Sequence, residues 1–302
     1  MPLRNQLRVD KILSGVSVRY QNEGFIAEQA FPVLSVSKDS DKYRVYSQNY
    51  RIPETARAPG GLANEFQFQS SFNSYLLEYH GLKDIVPDRD ADNYDEADLM
   101  VDTTEELTEA LMRRKESDFN ALLTTANWSL NQSLAAGAIW SLDTILSNPI
   151  LHVDSGTASI VLNSGGKKPN YMILPFNSLH DVKNHQSVLD RVKYTSQDVD
   201  LGTLKGLFGL PEILVPSATN DTSNEGAASV LAHIIVDKAF IGYKPPRASA
   251  KAPSAGYMFR KQQPSVKRYR DEPREGTWIE VNDSYQFKVV ASLCGYLINN
   301  IK

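Results

Sequence analysis

Polar positions dominate the first thirty residues, which show no sustained hydrophobic period. Arg4, Arg8, Lys11 and Arg19 make the stretch mildly positive, as expected of an extended arm or a fraying N-terminus. Ala30-Phe-Pro-Val-Leu-Ser-Val marks the start of ordered structure. Residues 42–51 and 65–79 then read as strands, Phe66 and Phe68 alternating with glutamines in the second. Between them Ile52 to Asn64 holds Pro53, Pro59 and Gly60-Gly61, which predicts a long turn. The result is a long hairpin with one modestly apolar face. An isolated two-stranded hairpin is marginal in water, so it must lie on the rest of the chain or on a neighbouring copy.

The spacing of Leu107, Leu111, Phe119, Leu122, Leu123 and Ala126 predicts a helix over 102–128, with Thr103 and Glu106 as a capping box. A helix of about 24 residues would be roughly 36 Å long and would serve as a spine. Residues 149–255 alternate helix and strand. Tyr171-Met-Ile-Leu is a short strand, and a helix begins near Ser178 and continues through Val188-Leu-Asp-Arg-Val. Leu201 to Phe208 is a helix stopped by Gly209 and Pro211. Ile213-Leu-Val and Leu231-Ala-His-Ile-Ile-Val are strands, separated by the polar loop Ser217 to Ala227. This is a compact α+β module. Residues 256–302 return to strand, with Trp278-Ile-Glu-Val and Tyr285 to Leu293 alternating around an expected turn at Asn282-Asp283-Ser284. No internal repeat is present.

Composition narrows the class. The 302 residues, 41% hydrophobic and 23% charged, suit a globular chain of one large domain or two ordinary ones. A net charge of −4 argues against a polycation that coats nucleic acid. The single cysteine, Cys294, excludes an internal disulfide framework and a multi-cysteine metal site. No run approaches the ~18 apolar residues of a membrane span, and Met1-Pro-Leu-Arg-Asn-Gln lacks the apolar core of a secretory signal. We therefore expect a soluble chain that folds where thiols stay reduced. Charge is uneven: Asp84 to Glu109 carries eleven acidic residues and one basic, and Lys244 to Arg270 eight basic and no acidic. Such blocks are two solvated surfaces or complementary patches that meet, within one chain or between copies.

No catalytic constellation emerges. Val153-Asp-Ser-Gly-Thr-Ala resembles the aspartic-protease signature, but that chemistry needs two paired carboxylates and the motif occurs once. The alternative places Asp154 or Ser155 in a turn or helix cap. Asp88-Arg-Asp-Ala-Asp-Asn-Tyr-Asp-Glu-Ala-Asp-Leu99 begins like a calcium loop, yet has Asn93 for the required glycine and Leu99 for the bidentate glutamate. Gly202 to Gly209 lacks a phosphate-loop ending, none of His80, His152, His180, His185 and His233 forms a His-Glu-x-x-His pair, and His180 and His185, five apart, fall off one helical face. Cys294 reads as core. We expect no cofactor, metal or catalytic residue.

Four stretches, in order, carry a resemblance. They are Phe25 to Tyr43, Arg57-Ala-Pro-Gly-Gly-Leu-Ala-Asn, Asp84-Ile-Val-Pro-Asp-Arg-Asp-Ala-Asp with the acidic lead into the Thr103 helix, and Gly242-Tyr-Lys-Pro-Pro-Arg with Ala255-Gly-Tyr-Met-Phe. From about residue 25 to the C-terminus the chain resembles the major capsid proteins of tailed bacteriophages, which have the Hong Kong 97-type fold. The resemblance implies an α+β fold with an N-terminal arm (1–33) and an extended hairpin loop (34–77). A peripheral domain (78–148 and 256–302) would be built on a spine helix at about 103–128, and an axial domain would span 149–255. It implies a non-enzymatic structural protein that self-assembles into hexamers and pentamers of an icosahedral shell around double-stranded phage DNA, in a virion assembled in the bacterial cytoplasm.

On this reading the hairpin from Lys42 to Ser74 grips a neighbour. Its expected contact residues are Tyr43, Arg44, Tyr46, Arg51, Phe66 and Phe68, with Arg57, Pro59, Gly60 and Gly61 at the tip. Thr219, Asn220, Asp221 and Asn224 would face the capsomer axis. Arg4 and Arg8 would touch packaged DNA through weak, sequence-independent contacts. Expected partners are further copies of the chain and a portal, with a scaffolding protein and a decoration protein as options, and no membrane. Because the arm follows Met1 directly, a separate scaffolding protein, or none, is expected, without proteolytic trimming. No intersubunit crosslink is expected. The alternatives are an encapsulin-like compartment holding protein cargo, an aspartic-type protease using Asp154, and a monomeric binding module.

Overall fold

The computed structural model describes residues 24–46, 52–57, 59–65, 70–93, 99–193, 198–224, 226–249 and 252–302. In chain order the first strands are β1 (Val33–Ser35), β2 (Ser40–Tyr46), β3 (Ser70–Leu76), β4 (Glu78–Pro87) and β5 (Leu130–Ser133). β6 (Tyr171–Ile173), β7 (Glu212–Leu214), β8 (Thr219–Asp221), β9 (Leu231–His233) and β10 (Lys238–Gly242) follow. The last are β11 (Gly256–Arg260), β12 (Ser265–Asp271), β13 (Gly276–Val289) and β14 (Gly295–Asn299).

The long helix spans Leu99–Leu122. It starts earlier than the capping box suggested. Thr103 and Thr104 lie inside it, their hydroxyls donating to the carbonyls of Leu99 and Met100, one turn back. The helix lies across β4 and β13. Leu111 packs there on Val86, Val266, Ile279 and Val281.

β13 organises the first five-stranded sheet. It pairs with β4 on one side and with β11 and β12 on the other, and β1 adds in parallel to β11. It runs unbroken through the expected turn at Asn282-Asp283-Ser284, and Ile279, Val281, Asp283, Tyr285 and Phe287 are all buried. The period of two carries straight through the Asp. The turn reading fails because Asp283 takes a core position and finds ionic partners there. The reversal lies instead between β12 and β13, at the one-turn helix Glu272–Arg274.

The second sheet has the order β5-β14-β10-β6-β7. Four helices pack with it: Pro149–Asn163, Phe176–Asn184, Gln186–Val192 and Leu201–Phe208. Sheet membership cuts across the expected division of the chain. β5 and β14, from 130–133 and 295–299, join strands drawn from 171–242. Thus the last strand, expected to return to the first unit, is an inner strand of the second, between β5 and β10.

The two sheets and the long helix meet around Phe31. Its ring is fully buried, 5.1 Å from Phe119 and 6.3 Å from both Trp128 and Phe287. Gly256 lies against that ring, and a Cβ there would run into it. Gly256→Ala should therefore cost about 1–3 kcal/mol through overpacking. Urea denaturation of the two proteins checks this; an unchanged midpoint contradicts the packing.

Candidate assembly surfaces

β2 and β3 form the hairpin stem, in register from Ser40↔Leu76 to Tyr46↔Ser70. Its side chains divide between two faces. Tyr43 and Tyr75 turn toward their own chain, where Tyr75 stacks on Phe259 at 4.7 Å and Tyr43 lies 5.3 Å from the same ring. Tyr43 therefore anchors the stem to its own chain while remaining half-exposed. The reason is alternation: positions 41, 43 and 45 share the face that meets β11. Arg44 is on the other face, exposed, with its guanidinium 5.3 Å from the Phe72 ring opposite.

The tip is bare. Ile52 is 97% and Leu62 93% exposed, and Arg57, Pro59, Gly60 and Gly61 are exposed as well. Gly60 has φ +79°, a left-handed turn position. Asn64 ties the tip to itself by donating to the Glu54 carbonyl at 2.7 Å. Tyr46 ends β2. Arg51, Phe66 and Phe68 lie outside the described residues, as do Arg4 and Arg8.

The second surface is the β8–β9 hairpin, with Thr219 opposite His233 and Asp221 opposite Leu231. The carboxylate of Asp221 accepts from the Ser223 hydroxyl at 2.7 Å, the Ser223 N–H at 2.8 Å and the Val230 N–H at 3.0 Å. Hydrogen bonds from Ser229, Ser223 and Val230 hold its carboxyl far below the usual carboxylate range. Asp221 thus stiffens the loop. Thr219, Asn220 and Asn224 are exposed, and so are Val230 and Leu231, two apolar side chains absent from the polar-loop reading.

A largely buried ionic cluster joins the segment around Glu28 to the long helix, β11 and β13. Lys115 of the long helix reaches Glu28 at 2.7 Å and Asp283 at 2.8 Å. Arg260 of β11 reaches the same two carboxylates at 2.7 and 2.9 Å. Four separate segments converge there. Nothing in the sequence marks the pairing, because the partners lie far apart along the chain. The acidic and basic blocks do meet within one chain, through the fork of Arg270 on Asp88, with one bond of 2.6 Å. Much of the remaining basic block is paired elsewhere, Lys244 with Glu212 at 2.6 Å and Lys261 with Asp39 at 2.8 Å.

The chemical candidates do not assemble. Asp154 sits exposed inside the helix Pro149–Asn163, in neither a turn nor a cap. Cys294 is buried in a short 3-10 turn before β14, and burial pushes its thiol up to about 11. It is core, though not on the alternating strand expected. His185 bridges Ser147 and Ser187, at 2.9 and 2.8 Å, and Trp140 donates to His152 at 3.0 Å. Among the described residues no group of three or more His, Cys, Asp or Glu is placed to hold a metal ion. No described helix is long and apolar enough to cross a membrane.

No known family profile matches the chain. The chain is 23% identical over 303 residues to the major capsid protein of Burkholderia phage BcepMu, covering 97% of this chain and 96% of that one. The crystal structure of a phage-related protein from Bordetella bronchiseptica RB50 superposes with a TM-score of 0.79 at 25% identity, covering 98% of each chain. The capsid of cyanophage P-SCSP1u gives a TM-score of 0.65 at 11% identity, over 93% of this chain and 89% of that one. The fold is that of the Hong Kong 97-type capsid proteins, α+β as expected. Over nearly its whole length the chain is similar to major capsid proteins of phages, and this similarity supports a structural role in a capsid.

Proposed function

We propose that the protein assembles into hexamers and pentamers that close an icosahedral shell around double-stranded phage DNA. The observation that carries this is the hairpin: a stem fixed by Tyr43, Tyr75 and Phe259, and a tip that leaves Ile52 and Leu62 in solvent. A projecting element anchored at one end and bare at the other suits a heterologous contact, the kind that closes into rings. The tip and the outer stem face around Arg44 and Phe72 grip the adjacent subunit. The loop from Thr219 to Asn224 lies at the capsomer axis. Arg4 and Arg8 face the packaged DNA.

The functional division remains an arm at 1–33, a loop at 34–77, a peripheral domain at 78–148 and 256–302 and an axial domain at 149–255. The strand exchange through β5 and β14 joins the last two firmly. The protein catalyses no reaction and uses no cofactor. A portal completes the particle, with a decoration protein and a scaffolding protein as optional partners, and the particle is built in the bacterial cytoplasm.

Expression with and without the scaffolding protein of the same phage tests this by light scattering and negative-stain imaging. Closed particles or rings are expected in at least one case. A monomer in both would overturn the reading. Particles that enclose protein cargo in place of DNA in infected cells would favour a compartment over a virion shell.

A further inference from the structure

The root of the N-terminal arm is held on the long helix by an unusual cap. Residues Ala27–Ala30 form a single helical turn, and Ile26 at its N-cap has no side chain able to satisfy the leading N–H groups. Glu116 satisfies them across 90 residues of sequence, its Oε2 accepting from Ile26 N–H at 3.1 Å. The same oxygen accepts from Ala27 N–H at 3.0 Å. Its other oxygen, Oε1, is buried with no hydrogen-bond partner among the described residues, and the whole residue is 0% exposed.

The charged groups around the root have partners other than Glu116; Lys244 donates to the Gln29 carbonyl at 2.8 Å and pairs with Glu212 at 2.6 Å. From the arm, Glu28 binds Lys115 of the long helix and Arg260 of β11, and both cations also bind Asp283 of β13. On the same helix, Asp118 takes Arg114 and the Tyr285 hydroxyl, and the His80 ring of β4 stacks on Tyr285. Across the arm, Asn120 donates to the Ile234 carbonyl beside His233. An ionised Glu116 therefore keeps one buried oxygen without a donor. A protonated Glu116 carries its hydrogen on that oxygen and still accepts both N–H bonds at the other.

We propose that Glu116 is a proton-operated latch, which holds residues 24–30 on the long helix when neutral and loosens them when ionised. Burial pushes the Glu116 carboxyl up from 4.5 to about 7, against the pull of the Ala27 and Ile26 bonds. A raised folded value places the full contribution below 4.5, and it is lost as pH rises to about 7. Burial would also raise Glu28, but Lys115 and Arg260 outweigh it and hold that carboxyl below its usual value, outside this window. The latch concerns the folded subunit and does not rest on the shell reading. Within a shell it would set how firmly the arm is tied to the wall.

Amide hydrogen exchange at Ile26 and Ala27 in the unassembled full-length chain tests it, after correction for intrinsic exchange. Opening is expected to rise up to about tenfold per pH unit between pH 5 and 7, then level off. Glu116→Gln should keep the segment docked and abolish the slope, while His80→Gln should keep it. A flat profile in the parent protein overturns the latch even if no variant folds, and so does a slope that survives Glu116→Gln or disappears with His80→Gln. Because the readout needs no particle, its failure is distinct from a failure of assembly.

Discussion

Deleting residues 52–64 will abolish assembly and leave a folded subunit. The two halves of this expectation have different causes. The stem is held by Tyr75 stacked on Phe259 and by Leu77, both buried within the chain. The tip contributes nothing comparable to the subunit's own core, since Ile52 and Leu62 are 97% and 93% exposed. Unfolding stability should therefore shift by no more than about 0.5 kcal/mol, as for surface changes away from special features. Between subunits the same residues are worth more. Burying two such side chains on a neighbour would contribute about 3–6 kcal/mol per contact. In the proposed ring each member would give one hairpin and receive one, so the loss would recur at every interface. Light scattering on the variant should show only small species, with an unchanged denaturation midpoint. Normal particles would mean that the hairpin does not grip. A collapsed midpoint would mean that the tip serves the subunit itself. The double variant Ile52→Asp with Leu62→Asp should behave alike without shortening the chain.

The sequence made the long helix and the hairpin visible because both announce themselves locally. Leu107, Leu111 and Phe119 recur at helical spacing, and Pro59-Gly60-Gly61 has few conformations besides a turn. Other elements were hidden by equally local reasoning. Asn148-Pro149 is a sound helix start, and Asn148 does cap Leu151 at 3.2 Å. The Asp-Ser-Gly that follows drew attention to turn chemistry and concealed the helix Pro149–Asn163. Thr103 offered a plausible cap, but Leu99 to Val101 had burial to gain on the first sheet and extended the helix past it. At Tyr43 only the pleat decided that the ring meets Phe259 of its own chain. The proposed assembly surfaces were legible as a bare hairpin and an exposed loop. The cluster of Glu28, Lys115, Arg260 and Asp283 was not, because a charge inside a strand pattern carries no sign of which distant residue neutralises it.

That cluster should dominate the subunit's response to substitution. Lys115 and Arg260 each bind Glu28 and Asp283, two cations shared between two carboxylates. Three of the four are nearly enclosed, with side chains 7%, 6% and 3% exposed for Lys115, Arg260 and Asp283. Arg260→Met keeps most of the volume and removes one cation. It leaves Asp283 with Lys115 alone and gives the site an unbalanced buried negative charge. The expected loss is about 3–5 kcal/mol of unfolding free energy, a large fraction of what a domain has to lose. Packing and charge can be separated. If charge imbalance is the cause, adding Asp283→Asn to Arg260→Met should restore part of the loss, so that the double variant is more stable than the sum of the singles by about 1–3 kcal/mol. If the guanidinium acts only as filler, the two losses will simply add. Chemical denaturation of the four proteins in the cycle decides between these. Glu28 belongs to the arm root, so loss of its Arg260 partner should also loosen residues 24–30 at every pH, whereas Glu116 loosens them only as pH rises. A pH-independent rise in exchange at Ala27 in Arg260→Met, with the slope due to Glu116 intact, would show that two of the ties on residues 24–30 act independently: charge shared across four segments, and a single proton.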